Sequence, residues 1–246
     1  MSGKNLEDCI LCAKKAKSVA VITGAGISSE SGIPTFRGDG GLWNNFRAEE
    51  LATPAAFRKD PALVWSWYDW RRGICKSAKP NPAHDVISRI EDYYPEFLLI
   101  TQNVDGLHGR AGSKNIVEIH GNIWKARCTS CAKIFEINET PLAEVPVKCI
   151  YCGSLSRPHI VWFGESYDSE LLNRVQLFLD SCEFLLIIGT SGMVNIPLYL
   201  TEIAIRNGAC VVEINPESSG ISSVADYTIY EKAGEALPDL WDRIIG

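Results

Sequence analysis

The 246-residue sequence contains no apolar run approaching the roughly eighteen residues that a membrane-spanning helix needs. Its N-terminal segment MSGKNLEDCILCAKKAKS is amphipathic and lacks the apolar core of a signal peptide. Internal repeats, low-complexity tracts and a clear flexible linker are missing as well. These absences argue against membrane, secreted, repeat and disordered proteins, and they predict a globular cytoplasmic protein.

Positive charge is also scarce, because 24 lysines and arginines face 30 aspartates and glutamates and leave a formal net charge of −6. A general nucleic-acid binder carries the opposite balance, so we expect no nucleic-acid partner, although a basic protein substrate would not be repelled. With 46% hydrophobic residues, the length suits one domain with a substantial insertion or two small domains.

Five short apolar runs recur along the chain, each ending in glycine or a polar residue. They are too short for most helices and rich in branched side chains, which is typical of buried strands in a parallel sheet. Helical patterns separate several of them, so the alternation predicts a doubly wound α/β core. The runs are SVAVIT (18–23), FLLIT (97–101), IVEIH (116–120), FLLIIGT (184–190) and CVVEIN (210–215), and the helical patterns cover 81–94, 168–182 and 196–208.

Two stretches interrupt this alternation. Residues 36–80 are rich in tryptophan and helical in pattern, and residues 122–158 carry paired cysteines. Both are expected to be insertions that form a smaller module.

The first predicted strand runs into GAGISSESGIPTFRG, where Gly24, Ala25 and Gly26 would let the backbone approach a phosphate closely. A tight strand-to-helix turn explains the glycines equally well. The dehydrogenase fingerprint is incomplete, because Ser29 stands at its third glycine and no second strand ends in a ribose-binding acid about twenty residues on. A nucleotide site stays open, whereas hydride transfer is disfavoured.

Two Cys-x-x-Cys pairs give the strongest metal signal. Cys128 and Cys131 are separated by seventeen residues from Cys149 and Cys152, a spacing that presents four thiolates tetrahedrally to Zn²⁺. Four thiolates leave no position for water, so the expected zinc is structural.

The other five of the nine cysteines are not expected to bind this metal. Cys9 and Cys12 also have Cys-x-x-Cys spacing, which is compatible with a redox motif, although ordinary helix cysteines are the favoured interpretation. Cys75, Cys182 and Cys210 fall within apolar patterns and are expected to pack in the interior.

Polar clusters follow four predicted strands at their carboxyl ends, where open α/β sheets bind ligands. A single asparagine or histidine after a strand is more often a turn former or a satisfied hydrogen-bonding residue than a catalyst. Four clusters on one edge nevertheless favour a site. They comprise Gln102 to His108, His120–Gly121, Gly189 to Gly192, and Asn215.

Together these motifs resemble the sirtuins. The matching elements, in the order of that family, are GAGISSESGIPTFRG, TQNVDGLH, His120–Gly121, the four zinc cysteines, VWFGE (161–165), GTS (189–191) and Ile214–Asn215. The resemblance covers the chain from about residue 20 to its end. It implies an NAD-dependent protein-lysine deacylase with a Rossmann-like α/β domain (1–35, 81–121 and 159–246) and a small inserted domain (36–80 and 122–158) that contains a helical module and a zinc ribbon.

The resemblance also implies how NAD is held. Asp105 would accept a hydrogen bond from the nicotinamide carboxamide, while Asn103 would help to order a water. Phe36 and Arg37, in a flexible loop, would close over NAD. The full implied set is Gly24, Ala25, Gly26, Phe36, Arg37, Gln102, Asn103, Asp105, Gly189, Thr190, Ser191 and Asn215.

The implied reaction begins when the acyl carbonyl oxygen attacks C1′ of the nicotinamide ribose, which releases nicotinamide and gives an alkylimidate. His120, the expected catalytic residue together with Asn103, would act as general base on the ribose hydroxyls, so that a 2′-oxygen attacks the imidate carbon. Water then frees the lysine and leaves O-acyl-ADP-ribose. A neutral imidazole near its ordinary pKa suits this task.

Acylated lysines of protein substrates are the partners that the resemblance implies. Val161 and the segment Phe163, Gly164 and Glu165 would hold the extended substrate peptide by strand-like backbone pairing. The sequence leaves the oligomeric state open, and a monomer is compatible with it.

The pair Tyr68 and Arg71 shares one face of a predicted helix, because the two residues are three apart. Sirtuins that act on acidic acyl groups are similar at this Tyr-x-x-Arg pair and at the small residue Ala52. Arg71 would bind a succinyl or malonyl carboxylate bidentately, and Tyr68 would add a donor. Arg72, about a hundred degrees further round the helix, is expected on the solvated face.

Three alternatives stay open at this point. The chain would be mainly a deacetylase if the acyl pocket prefers neutral groups. It would be a protein ADP-ribosyltransferase if the same nucleotide site transfers ADP-ribose to protein. A zinc-ribbon binding module without catalysis accounts for the cysteines but not for the glycine loop.

Overall fold

Helices surround a central parallel sheet in the computed structural model, which describes residues 4–34, 42–43, 46–192 and 195–246. The helices are α1 (Leu6–Lys15), α2 (Ala25–Ser29), α3 (Ala48–Leu51), α4 (Pro54–Lys59), α5 (Pro61–Ser77), α6 (Pro82–Tyr93), α7 (Leu107–Arg110), α8 (Ser169–Leu179), α9 (Asn195–Arg206) and α10 (Ala233–Ile245). The strands are β1 (Ser18–Thr23), β2 (Leu42–Trp43), β3 (Phe46–Arg47), β4 (Glu96–Thr101), β5 (Ile116–Glu118), β6 (Gly121–Cys128), β7 (Ile134–Glu136), β8 (Ser156–Ile160), β9 (Phe184–Ile188), β10 (Cys210–Ile214) and β11 (Tyr227–Ile229). In the ranges described, no helix is both long and apolar enough to cross a membrane.

The central sheet has the strand order β11-β10-β9-β1-β4-β5, and all its neighbouring strands run parallel. β1, β9 and β10 are buried along their whole lengths, which explains their uninterrupted apolar runs. The chain moves outward from β1 to β4 and β5 and then returns to β9 on the other side. This reversal of strand order is the position at which open α/β sheets bind ligands.

Successive side chains of the central strands point to opposite faces of the sheet, and helices cover both faces. Val19 and Val21 of β1 pack in a core with residues of α1, α6 and α10. Ala20 and Ile22 pack in a second core with residues of α8 and α9. The predicted doubly wound α/β fold is therefore confirmed.

A third core lies away from these two faces and joins the inserted stretches. It contains Trp65 and Trp67 of α5 together with Phe135 of β7 and Trp162 after β8. β6 is the centre of an antiparallel three-stranded sheet in the order β7-β6-β8. The helical stretch and the cysteine-bearing stretch thus share one apolar interior.

The predicted strands all form, with small differences at their ends. The run at 116–120 ends as a strand at Glu118, and the run at 184–190 ends at Ile188 because Gly189 turns with a φ of 62°. Several elements were not predicted. They include the short helix α7, the strands β2 and β3 inside a stretch expected to be helical, the edge strand β11, whose three residues are only partly buried, and helix α10, which has Pro238 in its interior. β11 shows no clear apolar alternation. Helix α10 does show a helical apolar pattern, which was overlooked in the sequence: one face buries Ala236, Leu237, Leu240, Trp241 and Ile244.

Arg72 is fully buried, so the expectation of a solvated Arg72 is wrong. Its Nη2 donates to the backbone carbonyls of Ile137 at 2.5 Å and Glu139 at 2.8 Å. Its guanidinium lies 5.2 Å from the centroid of the Trp124 ring. Carbonyl oxygens and an aromatic face replace water here, and the helical pattern could not reveal them because they come from a distant part of the chain.

Asp69, which also lies on α5, makes a second connection to the stretch of chain that contains Ile137 and Glu139. Its carboxylate accepts hydrogen bonds from the Thr140 hydroxyl and the Leu142 backbone N–H, each at 2.8 Å. Helix α5 is therefore tied to the segment between the two cysteine pairs by a buried cation and by a carboxylate.

We expect Arg72→Met to lower the free energy of unfolding by about 1–3 kcal/mol, because two buried carbonyls lose their donor. The measurement is the midpoint and slope of urea unfolding followed by circular dichroism. Arg58→Met is the matched control, because Arg58 is exposed on α4 and its loss should cost less than about 0.5 kcal/mol. Equal effects of the two substitutions would contradict the role assigned to Arg72.

Candidate active site

The loop after β1 and the turn after β9 approach each other through their backbones. The Gly26 N–H donates to the Gly189 carbonyl at 2.8 Å, and the Gly24 N–H donates to the Ile188 carbonyl at 3.0 Å. A Cβ at Gly26 would lie 2.7 Å from the Gly189 Cα, and one at Gly189 would lie 2.5 Å from the Ile27 nitrogen. No side chain fits, so these glycines are required by the contact between the two loops. Ala25, which follows Gly24, is the first residue of the short helix α2.

Side chains from the end of β4 complete the contact with this loop. The Asn103 Nδ2 donates to the Gly24 carbonyl at 2.9 Å and to the Ser28 hydroxyl at 3.1 Å. The Ser28 hydroxyl donates to the Asp105 carboxylate at 2.8 Å, and the Leu107 N–H donates to its other oxygen at the same distance. Burial raises the pKa of Asp105, although these hydrogen bonds favour its ionised form.

The ends of β9 and β10 join the same group of side chains. The Gln102 Nε2 donates to the Thr190 hydroxyl at 3.0 Å, and the Asn215 Nδ2 donates to the Thr190 carbonyl at 2.8 Å. The Ser191 carbonyl accepts from the Gly220 N–H at 3.3 Å. The structure therefore brings together the strand-end residues that the sequence singled out.

His120 lies between the central sheet and β6, and its ring is oriented by the backbone. Its Nδ1 is 2.9 Å from the Gln102 carbonyl oxygen, which can only accept, so Nδ1 carries the proton. Nε2 of the neutral ring is then left as the proton acceptor. Burial lowers the pKa of His120, which keeps the imidazole neutral at neutral pH.

Tyr167 is a neighbour of His120 that sequence reasoning missed. Its hydroxyl lies 3.2 Å from Nε2 of His120, and the two rings stack with their centroids 5.6 Å apart. The residue stands two positions after the VWFGE segment, outside every motif. The only signal that the sequence offered was an aromatic residue flanked by the polar residues Ser166 and Asp168.

Tyr68 and Arg71 lie on α5 as the spacing predicted. The Tyr68 hydroxyl is buried and accepts a hydrogen bond from Trp162 Nε1 at 2.9 Å, and burial raises the pKa of Tyr68 to about 12. The Arg71 guanidinium lies 5.2 Å from the centroid of the Trp67 ring. Burial lowers the pKa of Arg71, while the nearby groups Tyr68 and Asp105 favour its charged form.

The segment 161–165 is held from three directions. The Val161 N–H donates to the His120 carbonyl at 2.9 Å, and the Phe163 N–H donates to the Ala52 carbonyl at 3.0 Å. The Glu165 carboxylate forms an ion pair with Arg157, at 2.5 Å from Nη1 and 2.8 Å from Nη2.

The same carboxylate accepts from the Trp162 N–H at 2.9 Å, and the Arg157 guanidinium lies 3.4 Å from the centroid of the Trp162 ring. Glu165 thus fixes the loop. The Phe163 side chain stays half exposed, and the neighbouring Gly164 has a φ of 84°. Backbone pairing of this segment with a peptide stays a prediction.

Two of the residues expected to contact NAD, Phe36 and Arg37, lie outside the described residues.

The four paired cysteines meet at one point, with their sulfur atoms all within 4.8 Å of one another. Cys128 and Cys152 are 3.5 Å apart between sulfurs, and Cys131 and Cys149 are 3.8 Å apart. Zinc bonded to sulfur at about 2.3 Å in a tetrahedron separates the ligands by about 3.8 Å, so the geometry fits a structural zinc ion.

Backbone N–H groups also point at these sulfurs. Ser130 and Cys131 donate to Cys128 at 3.3 Å, and Tyr151 donates to Cys149 at 3.4 Å. Such bonds stabilise the thiolate form that a metal needs. The remaining cysteines lie elsewhere: Cys75, Cys182 and Cys210 are buried as expected, and Cys9 and Cys12 lie on α1.

Comparisons with known proteins assign the family. The model of the Sir2 family matches residues 24–196. The chain is 52% identical over 235 residues to an NAD-dependent protein deacylase of Leptospira interrogans, with 94% of each chain covered. The chain belongs to the Sir2 family. The resemblance to sirtuins is therefore confirmed.

Two further comparisons agree with this assignment. This chain is 50% identical over 227 residues to an NAD-dependent protein deacylase of Aquifex aeolicus, and the alignment covers 92% of this chain and 95% of that protein. A crystal structure of a Sir2 homologue in complex with NAD superimposes with a TM-score of 0.93 at 41% identity, covering 100% of this chain and 96% of the other.

We expect Cys152→Ser to lose most of the bound zinc, because three thiolates and a hydroxyl bind the metal far more weakly than four thiolates. Metal binding contributes to folding, so the variant should also unfold at a lower temperature. Zinc is measured by plasma mass spectrometry, and Cys12→Ser on α1 is the control. Wild-type zinc content in Cys152→Ser would exclude the four-thiolate site.

Proposed function

We propose that this sirtuin removes acyl groups from protein lysines at the expense of NAD, with a preference for the acidic succinyl and malonyl groups. The general activity is supported by the names of its relatives and by the oriented, neutral imidazole of His120. The acidic preference is supported by the pair Tyr68 and Arg71 on α5. The products are the free lysine, nicotinamide and O-acyl-ADP-ribose.

NAD is assigned to the edge at which the strands β1, β4, β9 and β10 end. Gly24, Ala25 and Gly26 provide a backbone lining without bulky side chains for the pyrophosphate. Gln102, Asn103 and Asp105 are assigned to the nicotinamide side. On the other side, Gly189, Thr190, Ser191 and Asn215 are assigned to the phosphates and the adenosine ribose. Phe36 and Arg37 complete this assignment as the covering loop.

His120 is assigned as the general base, with Asn103 as the second catalytic residue. NAD supplies the bond to nicotinamide whose cleavage drives the reaction. The chain itself must then take a proton from a ribose hydroxyl, and the Nε2 lone pair of His120 is oriented to do so by the Gln102 carbonyl. Burial lowers the pKa of His120. The imidazole therefore stays neutral, and hence active as a base, at pH values at which an ordinary histidine is already protonated.

The acyl pocket is assigned to the side chains of Ala52, Tyr68 and Arg71. Ala52 is buried and small, which leaves space beside the other two. A guanidinium with reduced hydration gains strongly from a carboxylate, because it has lost much of its interaction with water. A neutral acetyl group would fit beside water without that gain, so deacetylation is the expected second activity.

The substrate peptide is assigned to Val161, Phe163, Gly164 and Glu165, beside His120. The half-exposed ring of Phe163 supports this position. The proposal also divides the chain into an NAD-binding module (1–35, 81–121 and 159–246) and a small module (36–80 and 122–158). The core that α5 shares with β7 supports this division, and it extends to Val104, Leu107 and Trp162 of the NAD-binding module. A cytoplasmic location stays a prediction.

The decisive experiment uses one peptide sequence that carries acetyl-, malonyl- or succinyl-lysine, incubated with and without NAD. Mass spectrometry should show free lysine and O-acyl-ADP-ribose only when NAD is present, most rapidly for the acidic groups. Transfer of labelled ADP-ribose to protein without loss of the acyl group would favour a protein ADP-ribosyltransferase. Faster removal of acetyl than of either acidic group would favour a deacetylase.

We expect His120→Ala to lower kcat for deacylation by about two to four orders of magnitude, because a general base contributes 10²- to 10⁴-fold. Circular dichroism and zinc content should match the wild type. His159→Ala is the control, because His159 lies on β8 and carries no role in the proposed mechanism. Near-normal turnover of His120→Ala would remove His120 from the mechanism.

We expect Arg71→Met to reduce kcat/KM for succinyl-lysine by roughly ten- to a hundredfold, the worth of a hydrogen bond to a charged group. The value for acetyl-lysine should change much less, so the acetyl peptide is the internal control. Arg71→Lys should show an intermediate loss, because it keeps the charge but not the bidentate geometry. Equal losses for both peptides would rule out Arg71 as the source of acyl selectivity.

A further inference from the structure

The loop between β8 and α8 places a tyrosine on the proposed general base. The Tyr167 hydroxyl lies 3.2 Å from Nε2 of His120. The two rings stack with an interplanar angle of 27° and a centroid distance of 5.6 Å. Tyr167 therefore contacts the one atom of His120 that the proposed mechanism uses.

The direction of this hydrogen bond follows from the other side of the imidazole ring. Nδ1 must carry a proton, because its neighbour at 2.9 Å is the Gln102 carbonyl oxygen. Burial lowers the pKa of His120 and raises the pKa of Tyr167, so the imidazole is neutral and the phenol is protonated at neutral pH. The Tyr167 hydroxyl therefore donates its proton to the Nε2 lone pair.

We propose that Tyr167 caps the general base in the free enzyme and that a ribose hydroxyl of NAD displaces it. The inference rests on the proposed function, in which Nε2 of His120 accepts a proton from that ribose. One lone pair serves one strong donor at a time, so the phenol and the ribose hydroxyl compete for it. Tyr167 is a positioning residue, because it acts through His120.

The cap has a defined effect on ligand binding. Every ligand that brings a ribose hydroxyl to Nε2 must first break the hydrogen bond from Tyr167, and this lowers its affinity by the net worth of that bond. The stacked Tyr167 ring meanwhile packs against the imidazole. Removing only the hydroxyl separates the two effects, since phenylalanine keeps the ring.

ADP-ribose binding to Tyr167→Phe tests the competition. The variant should bind ADP-ribose about two- to tenfold more tightly than the wild type in calorimetry, since a neutral hydrogen bond is worth roughly 0.5–1.5 kcal/mol. Tyr93→Phe is the matched control, because Tyr93 is exposed at the end of α6, close to where strand β4 begins and away from the strand ends that form the proposed site. It should leave the affinity unchanged.

Nitrogen NMR of the histidine rings tests the hydrogen bond without any ligand. The chain has only four histidines, and His120→Asn identifies the resonance of His120. In the wild type at neutral pH, the Nε2 signal should be that of a hydrogen-bonded lone pair. In Tyr167→Phe it should move towards the value of an unbonded one.

Two results would overturn the cap: the same Nε2 signal in the wild type and Tyr167→Phe, or unchanged or weaker ADP-ribose binding by the variant. Failure of the wild type itself to bind ADP-ribose would instead count against the proposed function. In that event the NMR comparison still decides whether Tyr167 caps His120, because it needs no ligand.

Discussion

The backbone contact between the loop after β1 and the turn after β9 is the constraint on which the proposed NAD site depends. The N–H of Gly26 and the carbonyl of Gly189 are 2.8 Å apart, a separation that leaves no space for a Cβ on either side. Asn103 then donates a hydrogen bond from the end of β4 to the same loop. The Thr190 hydroxyl accepts a hydrogen bond from Gln102, and the Thr190 carbonyl accepts one from Asn215. The polar edge is thus assembled before any ligand arrives, and such preorganisation reduces the entropy lost on binding.

Burial determines the charge states on both sides of the proposed reaction centre. It lowers the pKa of His120 and Arg71 and raises that of Asp105, in each case by penalising the charged form. For His120 this yields a neutral base. The charges of Arg71 and Asp105 instead stabilise each other. An acyl carboxylate at the proposed pocket would therefore meet a cation whose charge is already balanced by an anion. In the proposed function, selectivity for acidic groups would therefore come from direct contact with the guanidinium.

The sequence predicted the central sheet well, because strands buried on both faces leave continuous apolar runs such as SVAVIT. It also predicted the zinc cysteines, since their spacing alone determines the geometry. It failed where the deciding partner is distant in the chain. Arg72 was expected in solvent because nothing in its helix reveals the carbonyls of Ile137 and Glu139. Tyr167 was missed for the same reason, and β11 was missed because partial burial gives no clear alternation.

The buried Arg72 has a consequence for how distant parts of the molecule influence one another. Its two carbonyl partners belong to the segment between the zinc cysteine pairs, and Asp69 binds Thr140 and Leu142 of that segment from the same helix. Tyr68 and Arg71 stand on this helix immediately beside them. Because coupling between two sites is reciprocal, we expect zinc binding and occupancy of the proposed acyl pocket to influence each other through this helix.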